Sequence, residues 1–221
     1  EMQRSLVGSE MCIRDRFACL DFVTAMWGFF STLGIWGILL ILVTAFQFSG
    51  EITSGQIKMT LLRIGKRGPI IIAKFFALTT AAIGAFVLFT LTAVGSYYLF
   101  VANSSIGNAS FSSATIDFPN LVAMIGFILL HLALFMAIAL LAGLFLSPFI
   151  AFILSLVSLF AVNYLINSNA FEFAKYSALS VSNHLISGEA ENLIPALLSS
   201  ILIIACILIS TSLLFKRVDI K

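Results

Sequence analysis

Two polar side chains stand alone inside long apolar runs of this sequence, and they are the first candidates for chemistry. His131 lies in one run and Asn163 in the next. An ionisable group inside a membrane is by default a functional candidate, for example as a proton relay. No carboxylate lies near the centre of either run, which leaves His131 without an acidic partner there. The sequence therefore favours an interhelical hydrogen bond for each side chain over a proton relay.

No set of residues in the sequence has the spacing of a catalytic or metal site. There is no GxxxxGK[ST] phosphate loop, no HExxH and no pair of adjacent glutamates, so we do not expect this chain to be an enzyme or to hydrolyse ATP itself. Cys19 and Cys206 stand apart with no CxxC spacing. We therefore expect no catalytic residue, no bound metal and no cofactor held by this chain.

The composition requires that these residues be positioned by membrane-spanning helices. Of the 221 residues, 61% are hydrophobic and 10% are charged, and the mean hydropathy is +1.12. A soluble domain carries about 25% charged residues. Unpaired backbone groups are not tolerated in lipid, so the spans must be helices. We expect an all-α, polytopic transmembrane bundle whose partner is the lipid bilayer, and a net charge of +2 gives no reason to expect a nucleic acid.

Five apolar segments are long enough to cross a hydrocarbon layer of about 30 Å at about 1.5 Å per residue. We predict spans at about 27–48, 70–101, 121–146, 149–166 and 193–215. The connection 49–68 is basic, Ser147-Pro148 is a tight turn, and 102–120 and 167–192 are longer polar connections.

The first residues differ in character from the rest of the chain. "SLVGSEMCIRDR", residues 5–16, resembles one reading frame of a translated sequencing adapter. We therefore assign residues 1–16 to a non-native segment and 17–221 to the membrane domain. This interpretation also predicts a gene cut at its 5′ end, with a sixth span, the first in the protein, missing upstream of residue 17.

The basic residues fix the expected orientation. Beyond residue 16 they are Lys58, Arg63, Lys66, Arg67, Lys74, Lys175, Lys216, Arg217 and Lys221. With five spans, all of them except Lys175 fall on one side, which the positive-inside rule makes cytoplasmic. We expect a multi-pass protein of the plasma membrane with a cytoplasmic C-terminus, anchored by Lys74, Lys216 and Arg217.

Segment 49–68 admits two interpretations from its residues alone. Ile57, Leu61 and Ile64 fall on one face of a short helix, while Lys58 and Arg63 point elsewhere. Such a helix could simply lie along anionic headgroups and fix the orientation of the chain. It could equally be a contact surface for a cytoplasmic partner.

The pattern of this segment resembles the connection between the second and third spans of ABC type-2 transporter permeases. The matching positions are Glu51, Gly55, Lys58, Leu61, Leu62, Arg67 and Lys74. Gln56 stands where that family usually has Thr, and Ile64 where it usually has Pro. The ending "LLFKRVDIK", with Lys216, Arg217 and Asp219, is also similar to the basic tail of the family.

The resemblance implies a permease subunit of an ATP-driven exporter. In that family the basic segment is a coupling helix that binds a separate cytoplasmic ATPase, which uses the ATP, and two permease copies, identical or related, form the path. By this resemblance Glu51 and Lys58 would contact the ATPase, and Ile57, Leu61 and Leu62 would fill its groove. The alternatives are a secondary transporter and an accessory polytopic membrane protein without an ATPase partner.

Overall fold

The computed structural model describes residues 18–64, 68–104, 107–112, 117–168, 172–186 and 192–217. These residues form eight α-helices and no strand: α1 Cys19–Thr32, α2 Ile35–Thr53, α3 Gln56–Ile64, α4 Gly68–Ser96, α5 Phe118–Gly143, α6 Pro148–Asn167, α7 Ala178–Ile186 and α8 Leu193–Arg217. A π-helical turn, Tyr97–Val101, extends α4, and a 3-10 turn, Glu172–Tyr176, precedes α7.

Five of these helices are long and apolar enough to cross a membrane: α2, α4 with its π-helical extension, α5, α6 and α8. The predicted all-α bundle is therefore confirmed. Large apolar side chains such as Leu88, Leu99 and Leu202 are exposed on its outer faces. An apolar surface of this extent is typical of contact with lipid and not with water. The helices indicate a multi-pass membrane protein.

Helix α5 lies at the centre of the bundle and contacts α2, α4, α6, α7 and α8. In its most apolar stretch 56% of the residues are buried, against 17–33% for the other four spans. Ala133, Ala137, Ala139 and Gly143 are small and buried or nearly so, which lets neighbouring helices approach α5 closely. The sequence of α5 therefore suits contact on all sides, and its polar residue His131 is placed inside the bundle.

The first predicted span, 27–48, is not one continuous helix. Helix α1 ends at Thr32, Gly34 has a left-handed backbone with φ +66°, and α2 begins at Ile35. Glycine adopts this conformation without the steric cost that a Cβ brings, which is why it commonly ends helices. Helix α2 then continues to Thr53, so residues 49–53 belong to a span and not to the connection predicted at 49–68. The other predicted spans agree with the observed helices to within three residues.

Helices α1 and α2 together run antiparallel to α4. At the start of α1, the Cys19 amide donates to the Ser110 carbonyl at 3.0 Å, beyond the end of α4. Trp27 lies fully buried against Phe86 and Phe89 of α4, and its Nε1–H donates to Thr90 Oγ1 at 3.2 Å. At the other extreme, Glu51 of α2 contacts Lys74 near the start of α4.

Three chain segments meet at one end of the bundle, which we call the basic end: the connection that contains α3, the Ser147-Pro148 turn and the end of α8. Ser49 Oγ donates to the Leu146 carbonyl at 2.8 Å, and the rings of Phe48 and Phe215 lie 6.5 Å apart. The described parts of these three segments therefore lie together, and their predicted cytoplasmic side stays a prediction. The turn Glu172–Tyr176 and residues 107–112 lie at the opposite end.

Candidate functional site

A tight turn at the basic end separates helix α3 from α2. Gly55 has φ +73°, and a Cβ built there would meet no atom within 4 Å. Glycine is therefore favoured here by its left-handed backbone conformation and not by a lack of room for a side chain. The Gly55 carbonyl accepts from the Lys58 amide at 3.1 Å, which starts the new helix. This is the glycine that matches the family pattern described above.

The two faces of α3 have different surroundings. Ile57 is fully buried in a cluster with Phe48 of α2, Ile71 and Phe75 of α4 and Phe215 of α8. Lys58 is exposed, and Met59 and Leu62 are 76% and 83% exposed. The expectation that Ile57 fills the groove of a partner is wrong for this structure, because its side chain is already fully buried within the chain. The exposed surface of α3 includes Lys58, Met59 and Leu62.

Glu51 and Lys74 form an ion pair between α2 and α4, directly above the α3 connection. The two side chains are 24% and 19% exposed. Each side chain neutralises the charge of the other. The expected contact of Glu51 with an ATPase and the expected anchoring role of Lys74 stay predictions. The pair joins the two helices that flank α3.

The remaining residues of the expected coupling site are only partly described. Leu61 lies within α3, and Lys216 and Arg217 lie in the last turn of α8, at the basic end. Arg67 lies outside the described residues. Of the expected coupling residues, Gly55, Lys58, Leu61 and Leu62 lie in or next to α3, and Glu51 and Lys74 pair with each other between α2 and α4.

A second polar site lies at mid-depth in the bundle. His131 of α5 and Asn163 of α6 are joined by a hydrogen bond, with 2.9 Å between Nε2 and Oδ1. His131 is 6% exposed, and its ring also meets the edge of Phe135 at 5.1 Å. The predicted interhelical hydrogen bond of each residue is thus observed. The sequence did not show that the two residues are partners.

The break between α1 and α2 lies next to this polar pair. A cavity of about 20 Å³ is bordered by Ser31, Gly34, Trp36, His131 and Asn163, among others. This volume is close to the minimum of about 10–15 Å³ that one water molecule needs. Trp36 Nε1 is buried and lacks a hydrogen-bond partner among the described residues. The turn between α1 and α2 therefore places Ser31 and Trp36 at the same small cavity as His131 and Asn163.

A larger cavity of about 540 Å³ lies on the other side of His131. It is a partly open cavity lined by residues of α5, α6, α8, the 3-10 turn and the start of α7. Its polar lining residues are His131, Tyr176, Ser177, Ser199 and Ser200, and the rest of its lining is apolar. A cavity of this size and character is typical of small-molecule sites, which usually measure about 300–1,000 Å³.

Sequence reasoning missed the helix break and the larger cavity. The signal for the break was present, because "TLGIWG" has a glycine in an apolar run, but glycine is also common within continuous transmembrane helices. The cavity is formed by segments far apart in the chain, 130–134, 162–166, 174–178 and 199–203, and no local pattern marks it.

Among the described residues, no group of three or more His, Cys, Asp and Glu side chains could hold a metal ion. The candidate sites are an amphipathic surface at the basic end and a group of polar side chains in the interior.

No family model, no curated protein and no solved structure matches the chain.

Proposed function

We propose that this chain is the permease subunit of an ATP-driven exporter of the plasma membrane, and that α3 couples it to a separate cytoplasmic ATPase. The observation that carries the proposal is the division of α3 into a face held by the bundle and a face left exposed. The chain would act with a second permease copy, and the ATP would be used by the ATPase subunit.

The buried face gives α3 a mechanical connection to the spans. Ile57 belongs to a buried cluster that includes residues of α2, α4 and α8, so a displacement of α3 would disturb the packing of this cluster. The Glu51–Lys74 ion pair ties the two helices that enter and leave the connection. A short helix fixed to spans in this way can transmit a rigid-body movement from a partner.

The exposed face has the character of a binding surface. Lys58 supplies a cation, and Met59 and Leu62 supply large apolar side chains that are mostly exposed. The same three residues would also suit the headgroup region of a bilayer, the simpler interpretation of an amphipathic helix. An experiment in detergent separates the two, because no bilayer surface competes there for α3.

The test begins with the native locus, sequenced on both sides of this reading frame, followed by co-expression of the chain with the phosphate-loop ATPase encoded beside it. We expect the ATPase to co-purify with the tagged chain in detergent. Leu62→Glu and Lys58→Glu should each reduce the recovered ATPase roughly tenfold, as expected when a central contact is lost. Lys175→Glu is the matched control, because Lys175 is exposed at the opposite end.

Two results would contradict the proposal. One is a locus without a phosphate-loop ATPase gene beside this frame. The other is a complex whose ATPase recovery is the same for Leu62→Glu, Lys58→Glu and the wild type. In the second case, the remaining interpretation of α3 is that it lies along the lipid headgroups.

A second candidate is an ATP-independent transporter, and the polar pair beside the turn at Gly34 favours it. Secondary transporters commonly bind substrates where interrupted helices meet polar groups inside the bundle. Here the interruption comes at the start of span α2 and borders the same small cavity as His131 and Asn163. Dye efflux that persists in cells expressing the chain without any co-expressed ATPase, and that a protonophore abolishes, would support this candidate over the first.

A further inference from the structure

The cavity of about 540 Å³ has a mostly apolar lining that contains one buried ionisable side chain, His131, and that combination indicates a class of ligand. We propose that this cavity binds a neutral amphiphile with an apolar body and one hydroxyl group, and that the hydroxyl contacts His131. The proposal rests on the cavity alone and does not depend on coupling to an ATPase.

The size and lining of the cavity suit an apolar body. Leu130, Leu134, Val162 and Ile203 are among its apolar lining residues and come from three different spans. Contacts with these side chains suit a hydrocarbon body, because many small dispersion contacts add up along an apolar surface. The volume suits a single chain or a small ring system and is too small for a folded peptide segment.

The absence of charge in the lining excludes charged ligands. No Asp, Glu, Lys or Arg lies among the described residues that border the cavity. A carboxylate or an ammonium group placed there would lose its hydration and gain no counter-charge, which is strongly unfavourable. The ligand is therefore uncharged, although a polar group on it can still be satisfied.

His131 determines what that polar group is. Its Nε2 is already engaged by Asn163, which leaves Nδ1 as the ring nitrogen available to a ligand. A neutral imidazole carries one donor and one acceptor nitrogen. Because Asn163 Oδ1 can only accept, Nε2–H is the donor and Nδ1 is the acceptor. A hydroxyl group can donate to Nδ1, whereas a ketone or an ether can only accept and has no hydrogen bond to offer it.

Tyr176 and Ser177 border the cavity at the opposite end of the bundle from α3. Tyr176 is 43% exposed, so the cavity reaches the surface there. Ser199 Oγ donates to the Tyr176 carbonyl at 3.0 Å, which fixes this turn against α8. The ligand enters at this end and extends toward His131.

The test uses the full chain in lipid nanodiscs and a dodecanol that carries a photoreactive diazirine. Its methyl ether and the corresponding dodecanoate are the chemical controls. We expect the alcohol to label peptides containing 174–178 and 199–203 in a saturable manner. The ether should bind roughly tenfold more weakly, the value of one lost hydrogen bond, and the dodecanoate more weakly still.

Three variants locate the site. Ile203→Trp fills the cavity without touching the His131–Asn163 pair and should abolish saturable labelling. Ile201→Trp is its matched control, because Ile201 is similarly exposed on α8 but does not border the cavity, and it should label like the wild type. His131→Phe keeps the ring volume and should remove the preference for alcohol over ether. Thermal unfolding of each variant checks that it is folded.

Several outcomes would overturn the proposal. Labelling that never saturates, or that spreads evenly over the lipid-facing helices, would mean that the probe reports bulk lipid contact. Equal labelling of Ile203→Trp and Ile201→Trp would place the probe outside the cavity. An ether that binds as well as the alcohol, or a dodecanoate that binds better, would show that His131 does not select a hydroxyl group.

Discussion

The basic end and the middle of the bundle accommodate polar side chains in opposite ways. At the basic end, Glu51 and Lys74 pair as full charges and Lys58 is exposed. In the middle, His131 and Asn163 satisfy each other through one hydrogen bond, and no Asp, Glu, Lys or Arg lies among the described residues that border either adjacent cavity.

This difference shows that the depth of a side chain in the membrane limits whether it can be charged. Charges at a boundary keep part of their hydration, so a pair of them costs little and can mark an interaction surface. In the membrane interior a charged side chain has no such hydration, so uncharged side chains that form hydrogen bonds cost much less free energy there. The two regions therefore suit different partners: a protein or a charged surface at the end, and a neutral ligand inside.

The largest expected effect on the free energy of unfolding is at Trp27, which packs close to the helix break. Trp27→Ala should lower the free energy of unfolding by about 3–5 kcal/mol, because it leaves a cavity among aromatic rings. Phe29→Ala, at a position that is 58% exposed in the same helix, should cost far less. Denaturation of the purified chain by SDS measures both. Equal losses would mean that the contacts of Trp27 do not hold α1 in place.

The next effect concerns the two faces of α3. Ile57→Ala should lower the free energy of unfolding by about 2–4 kcal/mol, since it removes a fully buried side chain. Leu62→Ala should change it by no more than about 0.5 kcal/mol, as for other exposed positions. The same SDS titration compares them. A Leu62 variant that is as destabilised as the Ile57 variant would place Leu62 in a packed environment.

A charge exchange tests the ion pair at the basic end. Glu51→Lys puts two cations side by side and should lower the free energy of unfolding by about 1–3 kcal/mol. The double variant with Lys74→Glu restores opposite charges and should recover most of that loss. Thermal unfolding in detergent at low salt measures the three proteins. A double variant no more stable than Glu51→Lys would show that the two charges do not interact.

The smallest effect belongs to the interior hydrogen bond. A double-mutant cycle with His131→Phe and Asn163→Leu should give a coupling energy of about 0.6 kcal/mol and no more than about 1.7 kcal/mol, the average and the maximum from such cycles on interhelical hydrogen bonds in a membrane protein. Each free energy comes from SDS denaturation. A coupling near zero would mean that the 2.9 Å contact contributes no stability and that these residues are held only by packing.

The spans were predictable because each is an apolar run whose length alone distinguishes it. The interruption at Gly34 was not, because a glycine in such a run indicates equally a tolerated helix residue or a left-handed turn. Which of these occurs depends on what lies beside it, and here Phe160 and the His131–Asn163 pair are contributed by later helices.

The site at the basic end was predictable in outline and not in its contacts. The spacing of Ile57, Leu61 and Ile64 showed that α3 has an apolar face but not that Ile57 faces its own bundle. Glu51 and Lys74 are 23 positions apart, and the tilt of two helices decides that they meet. Likewise, the rotation of α5 against α6 decides that His131 and Asn163, 32 positions apart, become partners.

The shortness of α1 has a consequence for the biosynthesis of the chain. Its 14 residues extend only about 21 Å, too little to cross a hydrocarbon layer of about 30 Å. Its hydrogen-bond acceptor, Ser110, is translated long after Cys19, on the order of ten seconds later at ordinary elongation rates. During that interval α1 has neither the length to insert alone nor its partner, so its final position is reached only after α4 has entered the membrane.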